Sequence, residues 1–308
     1  MKKWEYLQPG DIVDIIAPAS HTGQHSLDEG ARWLESLGLV PRMRPGIIKG
    51  DVFFAAERDI QLQHLKDALY SDSKAIWCVR GGYGSMRLIP YLQKLKAPPQ
   101  PKMFLGFSDI TALHLFFNQK WRWPTLHSRN ISAMKIEDMK IKDRKLLQDL
   151  ILGKLKAPVT FKNLKPLNAA AREKRMIQGE VVGGNMRILQ TSLKTSWELK
   201  AKGKILFVED VGERGYSVHR MFEQLIQAKI IDKGLKALVI GQFTEGEEKN
   251  GSDLTAEAIK RFAQSVSYPV LQGLPCGHGE INYPLPFNTQ SQLILGHKGE
   301  LRCETGGK

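Results

Sequence analysis

The sequence predicts an α/β fold, with a parallel sheet wrapped by helices in its first half and a mixed α/β, barrel-like second half. Three observations carry that expectation. Short β-rich runs alternate with helical patterns through the first half, the rhythm of parallel strands joined by crossover helices. The second half carries strands and helices and then β-rich text around YPVLQG and SQLILG. The chain has 308 residues, 42% hydrophobic and 25% charged, the balance of a folded globular protein. At roughly 100 to 200 residues per domain, two domains are expected.

Taken in order, DIVDIIAPAS reads as a strand and then a loop. SLDEGARWLESLG reads as a helix, with Ser26 as N-cap, Glu29 three residues on, and Gly38 closing it. LVPRM is a second strand. AERDIQLQHLKDALYS sets Ile60, Leu62, Leu65 and Leu69 close to the 3.6-residue period, which predicts a helix. KAIWCV is a strand that runs directly into RGGYG, and PKMFLGF is a strand that runs directly into the helical SDITALHLFFNQ. From Ala157 to about Arg175 the text turns Pro, Lys and Ala rich with no steady period, so 158–176 is expected to be a linker between domains at 1–157 and 177–308. Beyond it, strands are expected at MIQGEVV, KILFVED and KALVIG, with helices at NMRILQTSL, SVHRMFEQLIQA and LTAEAIKRFAQS.

The formal charge of +13 brings nucleic acid under consideration as a partner. Its distribution argues against one. Lys and Arg are densest in KLKAPPQPK, MKIEDMKIKDRK and KNLKPLNAAAREKR, where acids, prolines and apolar residues interrupt them, as on solvated helix faces and loops. Cys78, Cys276 and Cys303 are widely spaced and never form a CxxC pair, so free thiols are expected rather than disulfides or a zinc site. No apolar run approaches the ~18 to 20 residues that cross a bilayer, and the start lacks a signal-peptide core. The expectation is a cytoplasmic protein with no membrane or nucleic-acid partner, no metal and no cofactor.

Four places carry chemistry. In FLGFSDITALH, Ser108 follows an apolar strand and precedes a helix, the setting of a nucleophile elbow, and the helix N-terminus behind it suits an oxyanion. The G-x-S-x-G pattern is incomplete, with Ile110 at the second glycine, and by its local sequence alone Ser108 reads more readily as a helix cap, with Asp109 in the first turn. VRGGYGSMRL clusters Gly81, Gly82 and Gly84, where backbone N–H groups can approach a ligand or simply make a tight turn. KILFVEDVGERG puts Glu209 and Asp210 at the end of a buried strand, where a carboxylate can orient a histidine. GLPCGHGEINYPLPF sets His278 between two glycines in a turn-rich loop, and the chain order Ser, acid, His is that of the α/β-hydrolases.

Together the runs FFAAERDIQLQHLKDAL, AIWCVRGGYGSMRLIPYL, FLGFSDITALHLFF, GEVVGGNMRILQTSL, ILFVEDVGERGYSVHRMFEQL and GLPCGHGEINYPLP resemble, in order, the blocks of the LD-carboxypeptidase family. The resemblance extends from IIAPAS to the LP near residue 286. It implies a metal-independent cytoplasmic serine hydrolase, a homodimer, with a Rossmann-like amino-terminal domain and a smaller carboxy-terminal one. It further implies Ser108 as nucleophile, Glu209 as orienting acid and His278 as general base, with backbone N–H groups of Gly82 and Asp109 as the oxyanion hole. The implied reaction releases terminal D-alanine from the tetrapeptide of a muropeptide, in cell-wall recycling. For substrate binding the candidates are Arg80, Gly81, Tyr83, Asn185 and Arg220, with Arg129 a third arginine suited to a terminal carboxylate. In WPTLHSRNISAM the chain departs from the family, with Ser128 and Arg129 where many members have Gly-Pro after a His. Two other readings stand beside this one: hydrolysis of microcin-type peptidyl nucleotides, and a non-catalytic anion or nucleotide binder that uses RGGYG and VVGGN as cradles.

Overall fold

The computed structural model describes every residue except 1, 51, 135–140, 156, 157 and 233, together with all side chains of the others but that of Ile141. Its first half runs β1 (Ile12–Ile16), α1 (Gln24–Ser36), β2 (Val40–Met43), α2 (Arg58–Tyr70) and β3 (Ala75–Cys78). It continues with a short α3 (Ile89–Leu92), β4 (Met103–Gly106), α4 (Thr111–Phe116), β5 (Thr125–His127) and α5 (Ile141–Ile151). The second half runs β6 (Val159–Pro166), α6 (Ala169–Arg172), β7 (Met176–Asn185), α7 (Met186–Thr191), β8 (Ile205–Val211) and α8 (Gly215–Gln227). Then come β9 (Ala237–Thr244), α9 (Thr255–Ser265), β10 (Val270–Gln272), β11 (Leu285–Phe287), β12 (Gln290–Ile294) and β13 (Gly299–Cys303).

These elements sort into two units. One comprises Met1–Lys156, Tyr283–Pro286 and Gly306–Lys308, and the other Ala157–Asn282 and Phe287–Thr305. The first is a six-stranded sheet in the order β11-β5-β4-β3-β1-β2. Its β2-β1, β1-β3, β3-β4 and β4-β5 pairs are all parallel, so those strands end at one edge of the sheet. That edge is where the loops bearing Ser20, Gly81, Ser108 and Ser128 begin, the usual location for ligands on an open parallel sheet. Every residue of β3 and β4 is buried, as a strand covered on both faces requires.

The second unit is a closed barrel, ordered β10-β6-β13-β12-β7-β8-β9. Strands β7, β8, β9 and β10 are parallel neighbours, so their carboxy-terminal ends share one rim. The other neighbouring pairs are antiparallel. Stacking of Phe222 on Phe262, 3.9 Å between ring centroids, joins α8 to α9 outside the barrel. Among the described residues no helix is long and apolar enough to cross a membrane.

Two expectations need correction. Residues 158–176 are not a linker, because they form β6 and α6 of the barrel unit. The period-two pattern is hidden by a bulge: Leu164 pairs Gly299 and Phe161 pairs Leu301, leaving one extra residue on β6, and Asn163 takes φ 62 there. Ser26 is not the cap of α1. The helix begins at Gln24 with Gly23 at the cap, and Gln24 donates to Asp28 at 2.7 Å across the first turn. Gly38 does close it, with φ 79 and its N–H donating to Glu35 O.

Candidate active site

Ser108 stands where β4 turns into a helix, and its backbone is left-handed, φ 65. For a residue with a β-carbon that conformation costs about 1 to 3 kcal/mol, so its surroundings must enforce it. Phe107 is extended and its N–H donates to Asn130 Oδ1 at 3.2 Å. On the other side, Asp109 Oδ2 accepts from Ser85 N–H at 2.8 Å and its carbonyl accepts from the Ser85 hydroxyl at 2.7 Å. Burial pushes the Asp109 carboxyl above its ordinary range, against the opposing pull of Ser85 and Gly84.

Gly81 completes the clamp. A β-carbon on it would lie 2.7 Å from Ser108 Cβ, 3.0 Å from Oγ and 3.2 Å from the Asp109 nitrogen. Only glycine lets the RGGYG backbone come this close. Gly82, at φ 86, is equally confined, since a β-carbon there would meet Ser20 Oγ at 2.6 Å. Ser20 was not anticipated as part of this site. Its hydroxyl accepts from Tyr83 N–H at 3.0 Å and donates to Phe53 O at 2.8 Å, while its N–H donates to Gly81 O at 3.1 Å. The one available signal was the APAS run closing the first strand. The first unit thus gathers Ser108, Asp109, Gly81 and Gly82 around one turn. The Asp109 N–H, in the first turn of a helix, has no intrahelical acceptor and is suited to receive an anion.

The second unit holds a carboxylate and an imidazole. His278 Nδ1 is 2.7 Å from Glu209 Oε2, with the carboxylate fully buried and the ring side chain 16% exposed. Gly277, φ 130, permits the approach: a β-carbon on it would lie 2.8 Å from that same oxygen. The loop is fixed on both sides of the ring, since Gly277 N–H donates to Asn282 Oδ1 at 3.1 Å and Gly279 N–H to Gln242 Oε1 at 3.0 Å. Nδ1–H donating to the carboxylate places the neutral ring's lone pair on Nε2, the arrangement of a general base. Burial disfavours the imidazolium, but the Glu209 hydrogen bond and charge, with the charges of Asp210 and Glu245, outweigh it and raise the His278 pKa.

Asp210, next along β8, is buried and pushed up to about 6, first by burial and then by the Glu209 charge. Asn185 Nδ2 donates to it at 2.7 Å and Arg187 N–H at 2.9 Å. Asn185 also caps α7, its Oδ1 accepting from Ile188 N–H at 3.2 Å, and it faces Glu209 across the β7-β8 ladder. Its placement is beside the carboxylates, where it organises them.

Among the arginines, Arg80 is exposed and donates to His21 O at 3.0 Å, and Arg220 lies exposed on α8 over the Tyr216 ring. Arg129 is a correction: it forms an ion pair with buried Asp143 at 2.9 Å, a tertiary role rather than that of a carboxylate-binding cation. Tyr83 is 49% exposed beside Gly82. The VVGGN cradle is a second correction. Gly183 and Gly184 lie inside β7, and a β-carbon on Gly183 would fall 1.9 Å from Phe207 O, so close strand packing accounts for glycine there.

A strained serine next to candidate oxyanion donors in one unit, and a carboxylate-held imidazole in the other, are the parts of a serine hydrolase. Comparison with known proteins gives the same class. Residues 13–128 match the family model for the LD-carboxypeptidase N-terminal domain and residues 178–293 that for the LD-carboxypeptidase C-terminal domain. A putative carboxypeptidase of Rickettsia conorii is 40% identical over 94% of this chain and 90% of its own length. A probable murein peptide carboxypeptidase of Bacillus subtilis is 29% identical over 95% of this chain and 91% of its own. Among solved structures, the muramoyltetrapeptide carboxypeptidase from Oxalobacter formigenes superposes with a TM-score of 0.81 at 26% identity, covering 95% of this chain and 98% of that one. The chain belongs to the LD-carboxypeptidase family.

Proposed function

We propose that this protein hydrolyses the L,D-peptide bond that releases terminal D-alanine from murein tetrapeptides, with Ser108 as nucleophile. The observation that carries the reading is the left-handed Ser108, held in a conformation that serine otherwise avoids. His278 Nε2 takes the proton from Ser108 Oγ, and the oxygen attacks the carbonyl of the L-centred residue before D-alanine. The tetrahedral oxyanion is received by the N–H groups of Asp109 and Gly82, each such donor contributing roughly 3 to 4 kcal/mol where measured. The imidazolium then protonates the leaving nitrogen, D-alanine departs, and water activated by the same ring hydrolyses the acyl-enzyme. Glu209 accepts from Nδ1–H and so fixes the tautomer.

The same reading makes the working form a homodimer acting in cell-wall recycling in the cytoplasm, a compartment in which the three buried free thiols stay reduced. The murein-directed relatives named above support the substrate. In the decisive experiment, D-alanine release from a tetrapeptide muropeptide is followed for the purified chain and for Ser108→Ala. The variant loses turnover by about a thousandfold or more and keeps its fold; turnover equal to that of the unsubstituted chain removes Ser108 from the reaction.

A further inference from the structure

Glu245 stands one residue beyond β9, at the barrel rim that also carries Glu209 and Asp210. It is one of the non-glycine residues with left-handed backbone, φ 56. Several others have local reasons: Arg122 and Lys229 close helices, and Asn163 occupies the bulge of β6. Glu245 closes no helix. The chain turns left-handed at 245 and the next residue is wedged: a β-carbon on Gly246 would lie 2.7 Å from Glu213 O and 2.6 Å from Thr255 Cγ2. Glycine would make that turn without strain. Instead the position holds a long acidic side chain, exposed, with no hydrogen bond or ion pair to any described residue. Three residues earlier, on β9, Gln242 Oε1 accepts from Gly279 N–H at 3.0 Å, which ties this end of β9 to the loop that carries His278, and the Glu245 charge favours the protonated ring. A carboxylate so placed, solvated and without a cation of its own, is available to a cation that the substrate brings.

We propose that Glu245 is a specificity-determining residue that receives the side-chain ammonium of the diamino acid whose carbonyl is attacked. This rests on the peptidase reading above. The L-centred residue of a murein tetrapeptide is a diamino acid such as lysine or diaminopimelate, so the substrate carries an amine a few bonds from the reacting carbonyl. The general base is local to that carbonyl, and Glu245 is local to the general base. A charge-assisted hydrogen bond from ammonium to carboxylate contributes to binding and not to the chemical step, so its effect falls on KM.

The test uses the full chain and two tetrapeptides ending in Lys-D-alanine, one with a free ε-amine and one with that amine acetylated. For the unsubstituted chain, kcat/KM is about tenfold higher for the free amine, the magnitude of one hydrogen bond to a charged group. In Glu245→Gln this ratio falls to about one, mainly through KM for the amine-bearing substrate. Glu245→Gly abolishes the ratio as well while raising Tm, because it relieves the left-handed backbone, and that separates the loss from any failure to fold. A ratio that survives both substitutions overturns the assignment and leaves the peptidase reading intact. No D-alanine from either substrate with the unsubstituted chain overturns both.

Discussion

Gly81 approaches Ser108 so closely that a β-carbon on the glycine would sit 2.7 Å from that of the serine. Backbone of one strand-to-loop junction is thus packed directly on the residue that begins the next, and the left-handed turn at 108 is held in place by its neighbour. Gly81→Ala must push the two junctions apart. We expect it to cost about 1 to 3 kcal/mol in denaturant unfolding and to reduce kcat far more than it changes KM. An alanine variant with unaltered kcat would show that the contact does not set the serine's geometry.

The strain at Ser108 gives a second expectation, with stability and activity moving in opposite directions. Ser108→Gly removes the nucleophile and also the penalty for φ 65. Its unfolding free energy should exceed that of Ser108→Ala by about 1 kcal/mol, both variants being inactive. Equal stabilities would mean that the backbone at 108 is not strained in solution.

His278 acts as a base only when neutral, so kcat/KM should fall as pH drops through its pKa. That acid limb should lie above the ordinary histidine range, because Glu209, Asp210 and Glu245 outweigh the burial that opposes them. In Glu209→Gln the residual activity, lower by about ten thousandfold, should carry an acid limb displaced to lower pH. A limb that stays in place would assign it to another group.

Asp210 makes a prediction about stability alone. Its folded pKa of about 6 lies above the 3.8 of an unperturbed aspartate, so the folded state binds the proton more tightly. Its contribution is present in full below the unfolded value and is lost as pH rises through the folded one, amounting to about 2 to 3 kcal/mol across that window. Asp210→Asn should therefore flatten the pH dependence of unfolding between about pH 4 and 6, as followed by urea titration. An unchanged slope would place the shifted carboxyl elsewhere.

Much of this was legible because the chemistry sits at element junctions that the chain writes locally. KAIWCV ending in RGGYG and PKMFLGF ending in SDIT each announce a buried strand that stops at a loop or helix start, and β3 and β4 end there. His278 between two glycines was legible for the same reason, since Gly277 is where the loop meets Glu209. What stayed hidden depends on partners distant in the chain. β6 was invisible because the bulge at Asn163 breaks its alternation, and only pairing with β13 reveals it. Arg129 resembled a free cation until Asp143 was beside it, and Ser20 acquires a role only by lying against Gly82. No local pattern marks Glu245, whose significance comes from a backbone angle and from the barrel rim it shares with Glu209.

The most direct measurement is the site of covalent attachment. Treatment with a serine-directed fluorophosphonate, followed by peptide mapping, should place a single adduct on Ser108, and His278→Ala should slow its formation by orders of magnitude. An adduct on any other residue, or a labelling rate indifferent to His278, would contradict the account of Ser108 as a nucleophile activated by the Glu209-held imidazole.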